Sequence, residues 1–290
     1  MRLRPLAVAA LVLALVLVPA AALAARAADG PAAPTARGDV SGARAAQLVR
    51  TITALGSRVP GSEGERRAGA LVAAHFERLG YRVAVQTFRL PNGGSSRNVV
   101  AMPSTPVRAV VVAHIDGVAG TVAANDNASG IGALVEVARQ FSPEDGVVFA
   151  ALGAEERIMT GSRLHLGSAR LVRGFSAAGK RRIRIALSLD MVGVGPRLLV
   201  RGIEPAPNRS ARIALGHGRA RGLPVSYRQD SGQSDHAELT RAGIPAAWLQ
   251  WHWDPCWHKA CDEPARVSAA KVQAAAQVGV ASLREALGSR

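Results

Sequence analysis

Cysteine is almost missing: Cys256 and Cys261 are the only two in 290 residues. That excludes a disulfide-stapled miniature scaffold and any all-thiolate metal site, which needs four. Aromatic residues are scarce as well, at 4% with two tyrosines and five phenylalanines. The stacking platforms of single-strand nucleic-acid binders therefore have little to be built from. All four tryptophans (Trp248, Trp251, Trp253 and Trp257) fall in one short stretch. Acidic residues number 21 against 36 Lys and Arg, a formal charge of +15. The excess is scattered arginine with one denser patch at Lys180, Arg181, Arg182 and Arg184. No aromatic or nucleic-acid motif surrounds that patch, so it reads as a solvated face with weak attraction to an anionic envelope, and no nucleic-acid partner is expected.

The one long apolar run lies at the N-terminus. Arg2 and Arg4 precede an apolar stretch from Leu6 to Val18 that breaks at Pro19, and Ala22-Leu23-Ala24 offers a small-residue cleavage site, with Ala25-Arg26-Ala27 a second option. This pattern predicts a signal peptide over residues 1–24 and export to the cell envelope or medium, with no stable membrane span after cleavage. Loss of Arg2 and Arg4 takes the charge from +15 to +13. Residues 25–41, rich in Ala, Pro and Gly, read as a disordered leader, and 42–290 as one domain without repeat or linker. In an exported chain the Cys256 and Cys261 pair is expected to form a disulfide. Paired thiolate ligands are the competing reading, but two further soft ligands at matching spacing are absent.

Periodicity predicts helices over 43–55, 62–79, 131–141, 210–221, 234–242 and 265–287. Strands are predicted over 81–90, 97–102, 108–113, 147–152, 183–189, 198–201, 224–227 and 244–249. Ser62 and Glu65 are spaced for a capping box. Strands alternating with helices argue for an α/β sandwich around a mixed central sheet.

Chemistry-bearing residues crowd where those strands end. His114 closes one apolar strand, Glu155 and Glu156 follow another, and Asp126 opens the helix between them. In open α/β sheets that edge is where ligands bind. Asp190, at the end of a later strand, and His258, inside the cysteine loop, complete a set of two imidazoles and three carboxylates beside Glu155. Zinc accepts both donor types in near-tetrahedral sites. Two ions with three protein donors each need six positions, and five residues suffice if Asp126 bridges. Two such ions about 3.5–4 Å apart can share and acidify a water. Glu155, pointing away from its ligand neighbour Glu156, is then free to act as the base. Asp116, two residues after His114 on the same strand face, is expected to hold the second ring nitrogen of His114.

These segments, together with Asp190-Met-Val-Gly193, Ser234-Asp235-His236, Ala242-Gly-Ile-Pro245 and Cys256-Trp-His258-Lys-Ala-Cys261-Asp262, occur in an order that resembles the co-catalytic di-zinc aminopeptidase family, which includes secreted bacterial leucyl-type aminopeptidases. Gly56-Ser-Arg-Val-Pro-Gly-Ser62 and Arg97-Asn-Val-Val100 are similar too, so the likeness runs from about residue 42 to the C-terminus. The resemblance implies a zinc peptidase domain of eight mixed strands with helices on both faces. It implies one zinc on His114 and Asp190, another on Glu156 and His258, and Asp126 bridging, with a cis peptide between Asp126 and Asn127. Asp235 and His236 would sit in a supporting element beside the metals. Peptides with a free N-terminus, cleaved after an apolar first residue, are the implied partners, and a monomer is the favoured form.

Two positions depart from the family pattern. Trp257 stands where Tyr is common, offering only an indole N–H to an oxyanion, and Gln233 stands where secreted relatives often carry Arg. Trp251, Trp253 and Trp257 are candidate walls for the substrate side chain, with core packing as the alternative. Rival readings on the same fold are a glutaminyl cyclase, which works with a single zinc, or a carboxypeptidase. A non-catalytic binding ectodomain is a rival from another class, and such domains usually lack ligands that are all present here.

Overall fold

A computed structural model describes residues 38–156 and 164–288. The expected signal segment and most of the expected leader lie outside the described residues. Val40 is already buried against the core, and the Gly38 carbonyl accepts a hydrogen bond from Gln140. Among the described residues no helix is long and apolar enough to cross a membrane.

Eight strands form one sheet: β1 (Arg82–Arg89), β2 (Ser95–Met102), β3 (Ala109–His114), β4 (Val147–Leu152), β5 (Ile185–Leu189), β6 (Arg197–Gly202), β7 (Val225–Gln229) and β8 (Ala246–His252). Their spatial order is β1-β2-β4-β3-β5-β8-β6-β7. The β3–β4, β3–β5, β5–β8 and β6–β7 pairs are parallel, whereas β1–β2, β2–β4 and β6–β8 are antiparallel. The central strands read as unbroken apolar runs because both faces are covered. Val111, Phe149 and Leu187 point to one apolar cluster; Val110, Val148 and Ala186 point to the other. The first is roofed by α1 (Gly42–Thr53), α2 (Glu63–Arg78), α3 (Gly130–Ala138), α6 (Arg209–Ala220) and α8 (Ala269–Leu287). The second is roofed by α4 (Leu166–Arg173) and α7 (His236–Arg241), and α5 (Ala177–Arg182) leads into β5. The result is the three-layer α/β sandwich with a mixed eight-stranded sheet that the sequence predicts.

Local differences have local causes. The Ser62 hydroxyl accepts from the Glu65 amide, but the Glu65 carboxylate reaches past Ser62 to the Gly61 amide and to Ser96, so only half of the predicted capping box forms. The last helix begins at Ala269, with Ser268 as its cap, because Pro264–Arg266 takes a tighter turn first. Sequence periodicity did not predict α4 and α5. Both are short, and α5 keeps Arg181 and Arg182 exposed, as expected of a solvated basic patch.

Candidate metal centre

The parallel strands β3, β4, β5 and β8 deliver their chemistry at one sheet edge. His114 is the final residue of β3, Asp190 follows β5, Glu155 and Glu156 leave β4 after Gly153 and Ala154, and the loop after β8 carries His258. Asp126 enters from the short helical turn Ala124–Ser129 ahead of α3. That turn is anchored from outside, since Asp262 accepts from the Asn125 amide at 2.7 Å and from the Asp126 amide at 3.1 Å. The peptide between Asp126 and Asn127 is cis, as the resemblance implies. The preceding loop is held by Arg58, which is buried and donates to the carbonyls of Ile115, Val122 and Ala123 at 2.8, 2.7 and 2.9 Å. Among the described residues, five that are not glycine adopt positive φ: Ala123, Ala154, His165, Met191 and His258. All five stand at or beside the segments that carry these side chains, where strained backbone is used to aim groups.

The structure brings the five candidate ligands together. Asp126 faces both imidazoles, with Oδ1 3.1 Å from His114 Nε2 and Oδ2 3.3 Å from His258 Nε2. Asp190 Oδ1 lies 3.5 Å from His114 Nε2, and Glu156 Oε1 lies 3.1 Å from His258 Nε2. Donor atoms of His114, Asp126 and Asp190 fall within 4.8 Å of one another, as do those of Asp126, Glu156 and His258. Two donors about 2.0–2.1 Å from one ion in a tetrahedron stand about 3.3 Å apart, so this donor set and spacing fit zinc. His114, Glu155 and Glu156 make a third such group, which puts Glu155 at the margin of the centre.

The electrostatics point the same way. Burial lowers His114, but Glu155, Asp190, Asp116 and Asp126 overcome it and hold the imidazole well above its ordinary value. His258 is likewise depressed by burial yet pushed up to about 10 by Asp126 and Glu156. Burial and the Asp126 charge raise Glu156 to about 7. Burial also raises Glu155 well above its ordinary value, with Glu156, Asp235 and Asp190 adding to it and His114 opposing. Two buried acids, Glu155 and Glu156, raised by burial and by neighbouring carboxylates, mark a site built for cations.

Other predicted residues fall into place around this centre. Asp116 does not hold His114 chiefly through its carboxylate: Oδ1 is 3.6 Å from Nδ1, and the Asp116 carbonyl oxygen is nearer at 3.2 Å. The strand ends at His114, so the two-residue alternation fails beyond it. The carboxylate instead accepts from the Glu155 and Glu156 amides at 3.1 and 3.0 Å, setting the direction in which both side chains leave β4. Asp235 is buried at the start of α7 and pushed up to about 7 by burial. His236 packs its ring on Trp248 and places Nε2 3.0 Å from Asp230 Oδ2. The predicted disulfide joins Cys256 to Cys261 and closes the loop that presents His258.

A cavity of about 830 Å³ opens over the centre, and Gln233, Trp253 and Trp257 line it. Trp253 is 56% exposed and Trp257 42% exposed, and the Trp257 ring packs on His258. Trp251 is a correction: it is 4% exposed, packs in the core and donates its indole N–H to the Lys271 carbonyl. Strand alternation explains this, because Trp248, Gln250 and His252 of β8 face the cavity while Ala247, Leu249 and Trp251 face the opposite layer. Sequence reading also left His165 unassigned as a solitary histidine. Its Nε2 lies 3.2 Å from Glu155 Oε1, and burial lowers it to about 3, so it meets that carboxyl as a neutral ring. No spacing signal marks it.

Comparison with known proteins agrees with this geometry. Residues 98–282 match the model of peptidase family M28. Leupeptin-inactivating enzyme 1 of Streptomyces exfoliatus is 27% identical over 237 residues, covering 71% of this chain and 52% of that protein. The chain spans about half the length of the curated relatives it matches. Among solved structures, BSAP, a zinc aminopeptidase from Bacillus subtilis, superposes with a TM-score of 0.77 at 18% identity, covering 86% of this chain and 95% of that one. Porphyromonas gingivalis glutaminyl cyclase superposes with a TM-score of 0.76 at 21% identity, covering 86% and 99%. At those identities the two structures establish the fold alone. The family match spans most of the domain and contains every predicted ligand. The chain belongs to peptidase family M28.

Proposed function

We propose that this chain is an exported aminopeptidase that binds two zinc ions and hydrolyses the N-terminal peptide bond of peptides. The observation that carries the reading is Asp126, which turns one carboxylate oxygen to each of two imidazoles. His114 and Asp190 would hold one ion, Glu156 and His258 the other, and Asp126 both. When bound, such ions supply Lewis acidity at the scissile carbonyl and a more acidic water. Glu155 takes the proton of the attacking water and returns it to the leaving amine. Burial and the neighbouring carboxylates raise its pKa, the direction that favours accepting a proton. The carboxylates at the inner end of the cavity receive the free α-ammonium group. Trp253 and Trp257, exposed at the cavity, favour an apolar first side chain.

Residues 1–24 act as the export signal and 25–41 as a leader to the domain at 42–290, and the mature protein works outside the cell or at its envelope. Alanine at Glu155 should abolish turnover of leucine p-nitroanilide while zinc stays near two per chain. Retained peptidase activity in that variant would remove Glu155 as the base. The glutaminyl cyclase alternative predicts a single zinc and turnover of a glutaminyl peptide in place of the nitroanilide, and the same preparation decides between the two.

A further inference from the structure

The cavity has a second end whose chemistry the metal centre does not use. In the parallel pairing of β6 and β7, Arg201 and Arg228 stand directly opposite each other, and both line the cavity. Like charges at cross-strand positions repel and are disfavoured without compensation. Compensation falls on Arg201, and most of it is uncharged. The Arg201 guanidinium lies 4.1 Å from the centroid of the Trp248 ring and donates to the amide oxygens of Gln250 and Gln233 at 3.0 and 2.6 Å, both of them neutral acceptors. The nearby carboxylate, Asp230, is 3.7 Å from Arg201 Nε and already engaged. Its Oδ2 lies 3.0 Å from His236 Nε2, and its Oδ1 accepts from the amides of Gly232 and Gln233. Arg228 is exposed, and its recorded polar contact is His252 Nε2 at 3.5 Å. Among the described residues no carboxylate lies within ion-pair distance of it. Two guanidinium groups therefore face this end of the cavity, where the carboxylate within ion-pair distance of either is Asp230, which also serves His236 and two amides.

We infer that Arg201 and Arg228 form a carboxylate-binding subsite for the peptide substrate, an inference that rests on the aminopeptidase reading. Paired guanidinium forks match a carboxylate in shape as well as charge. Reach agrees with this. β6 is two strands from β5, whose end Asp190 follows, so the subsite stands on the order of 10 Å from the metal centre at about 4.8 Å per strand. An extended peptide covers about 3.3–3.6 Å per residue, which places the C-terminal carboxylate of a di- or tripeptide within range. The side-chain carboxylate of an acidic first residue is the other source of the same group. The subsite would select short peptides in the first case and acidic N-termini in the second.

The test is calorimetric binding to the zinc-loaded protein carrying Glu155→Gln, which leaves the ligands intact whether or not the wild type cleaves them. Leu-Gly is compared with its C-terminal amide, and glutamic acid α-amide with glutamine α-amide. At least one pair should favour the carboxylate by about tenfold, and adding Arg228→Gln, at an exposed site that does not threaten folding, should reduce that ratio to below about threefold. A preference confined to the first pair identifies the C-terminus, and one confined to the second identifies the side chain. Equal affinities within both pairs, or a preference that survives both Arg228→Gln and Arg201→Gln, would overturn the subsite. Separately, failure of the wild type to cleave Leu-Gly and its amide would count against the aminopeptidase reading, while the binding ratios still decide this one.

Discussion

Replacing Arg58 with methionine tests whether the loop leading to Asp126 is held from beneath by one buried side chain. Methionine keeps much of the length and apolar volume of the stem but removes the fork. The carbonyl oxygens of Ile115 and Val122 then lose their donor, while that of Ala123 keeps the Ala128 amide at 3.1 Å. The bonds to Ile115 and Ala123 are buried, and the bond to Val122 lies nearer the surface, where water can replace it. The buried Ile115 oxygen, left without a donor, costs about 1–3 kcal/mol, and the other two cost much less. Against this stands relief from burying a cation, whose expense is visible in the Arg58 pKa, lowered by desolvation to about 10. The balance is a loss of about 2 kcal/mol, read as a shift of the urea midpoint at unchanged slope. Arg58→Lys should recover little, because an ammonium group cannot reach three carbonyls in a planar fork. A loss below about 1 kcal/mol, or full rescue by lysine, would refute the reasoning.

Two further predictions follow from groups around the site. Glu65 is pushed up to about 7 by burial and by the Asp116 charge, from an ordinary value of 4.5. The folded chain therefore keeps a proton that the unfolded chain has lost, and the stability this group contributes is present below about pH 4.5 and lost as pH rises through 7. Glu65→Gln should flatten that part of the stability profile by about 3 kcal/mol, measured by urea unfolding across the window. Opening the Cys256–Cys261 bridge with a double serine variant removes a loop constraint worth about 2 kcal/mol and releases the loop that bears His258. The urea midpoint should fall, and metal analysis should show zinc dropping from two per chain toward one.

Much of the architecture was legible because its signals are strong. Continuous apolar runs such as 110–113 and Val147–Leu152 read as strands covered on both faces, and their ends carry the candidate ligands. His114, Asp126, Glu156, Asp190 and His258 could be grouped because few residue types serve zinc and each stood at an element boundary. What escaped depended on direction in space. The parity of β8 decides that Trp248 and not Trp251 meets the cavity, and that parity was readable in principle from Ala247 and Leu249 on the buried face. The contact of His165 with Glu155 and the facing of Arg201 with Arg228 join distant segments, and no periodicity encodes them. Asp116 faces the second nitrogen of His114 with its carbonyl nearer than its carboxylate, because the strand ends at His114 and the carboxylate turns to the Glu155 and Glu156 amides.

The account rests on one acid shared between two ions, and metal content measures this directly. The purified chain, saturated with zinc and then dialysed, should retain two ions by mass spectrometry. Asp190→Asn should retain about one, and Asp126→Asn should lose both. A wild type that saturates at one ion, or an Asp126→Asn variant that still holds two, would contradict it.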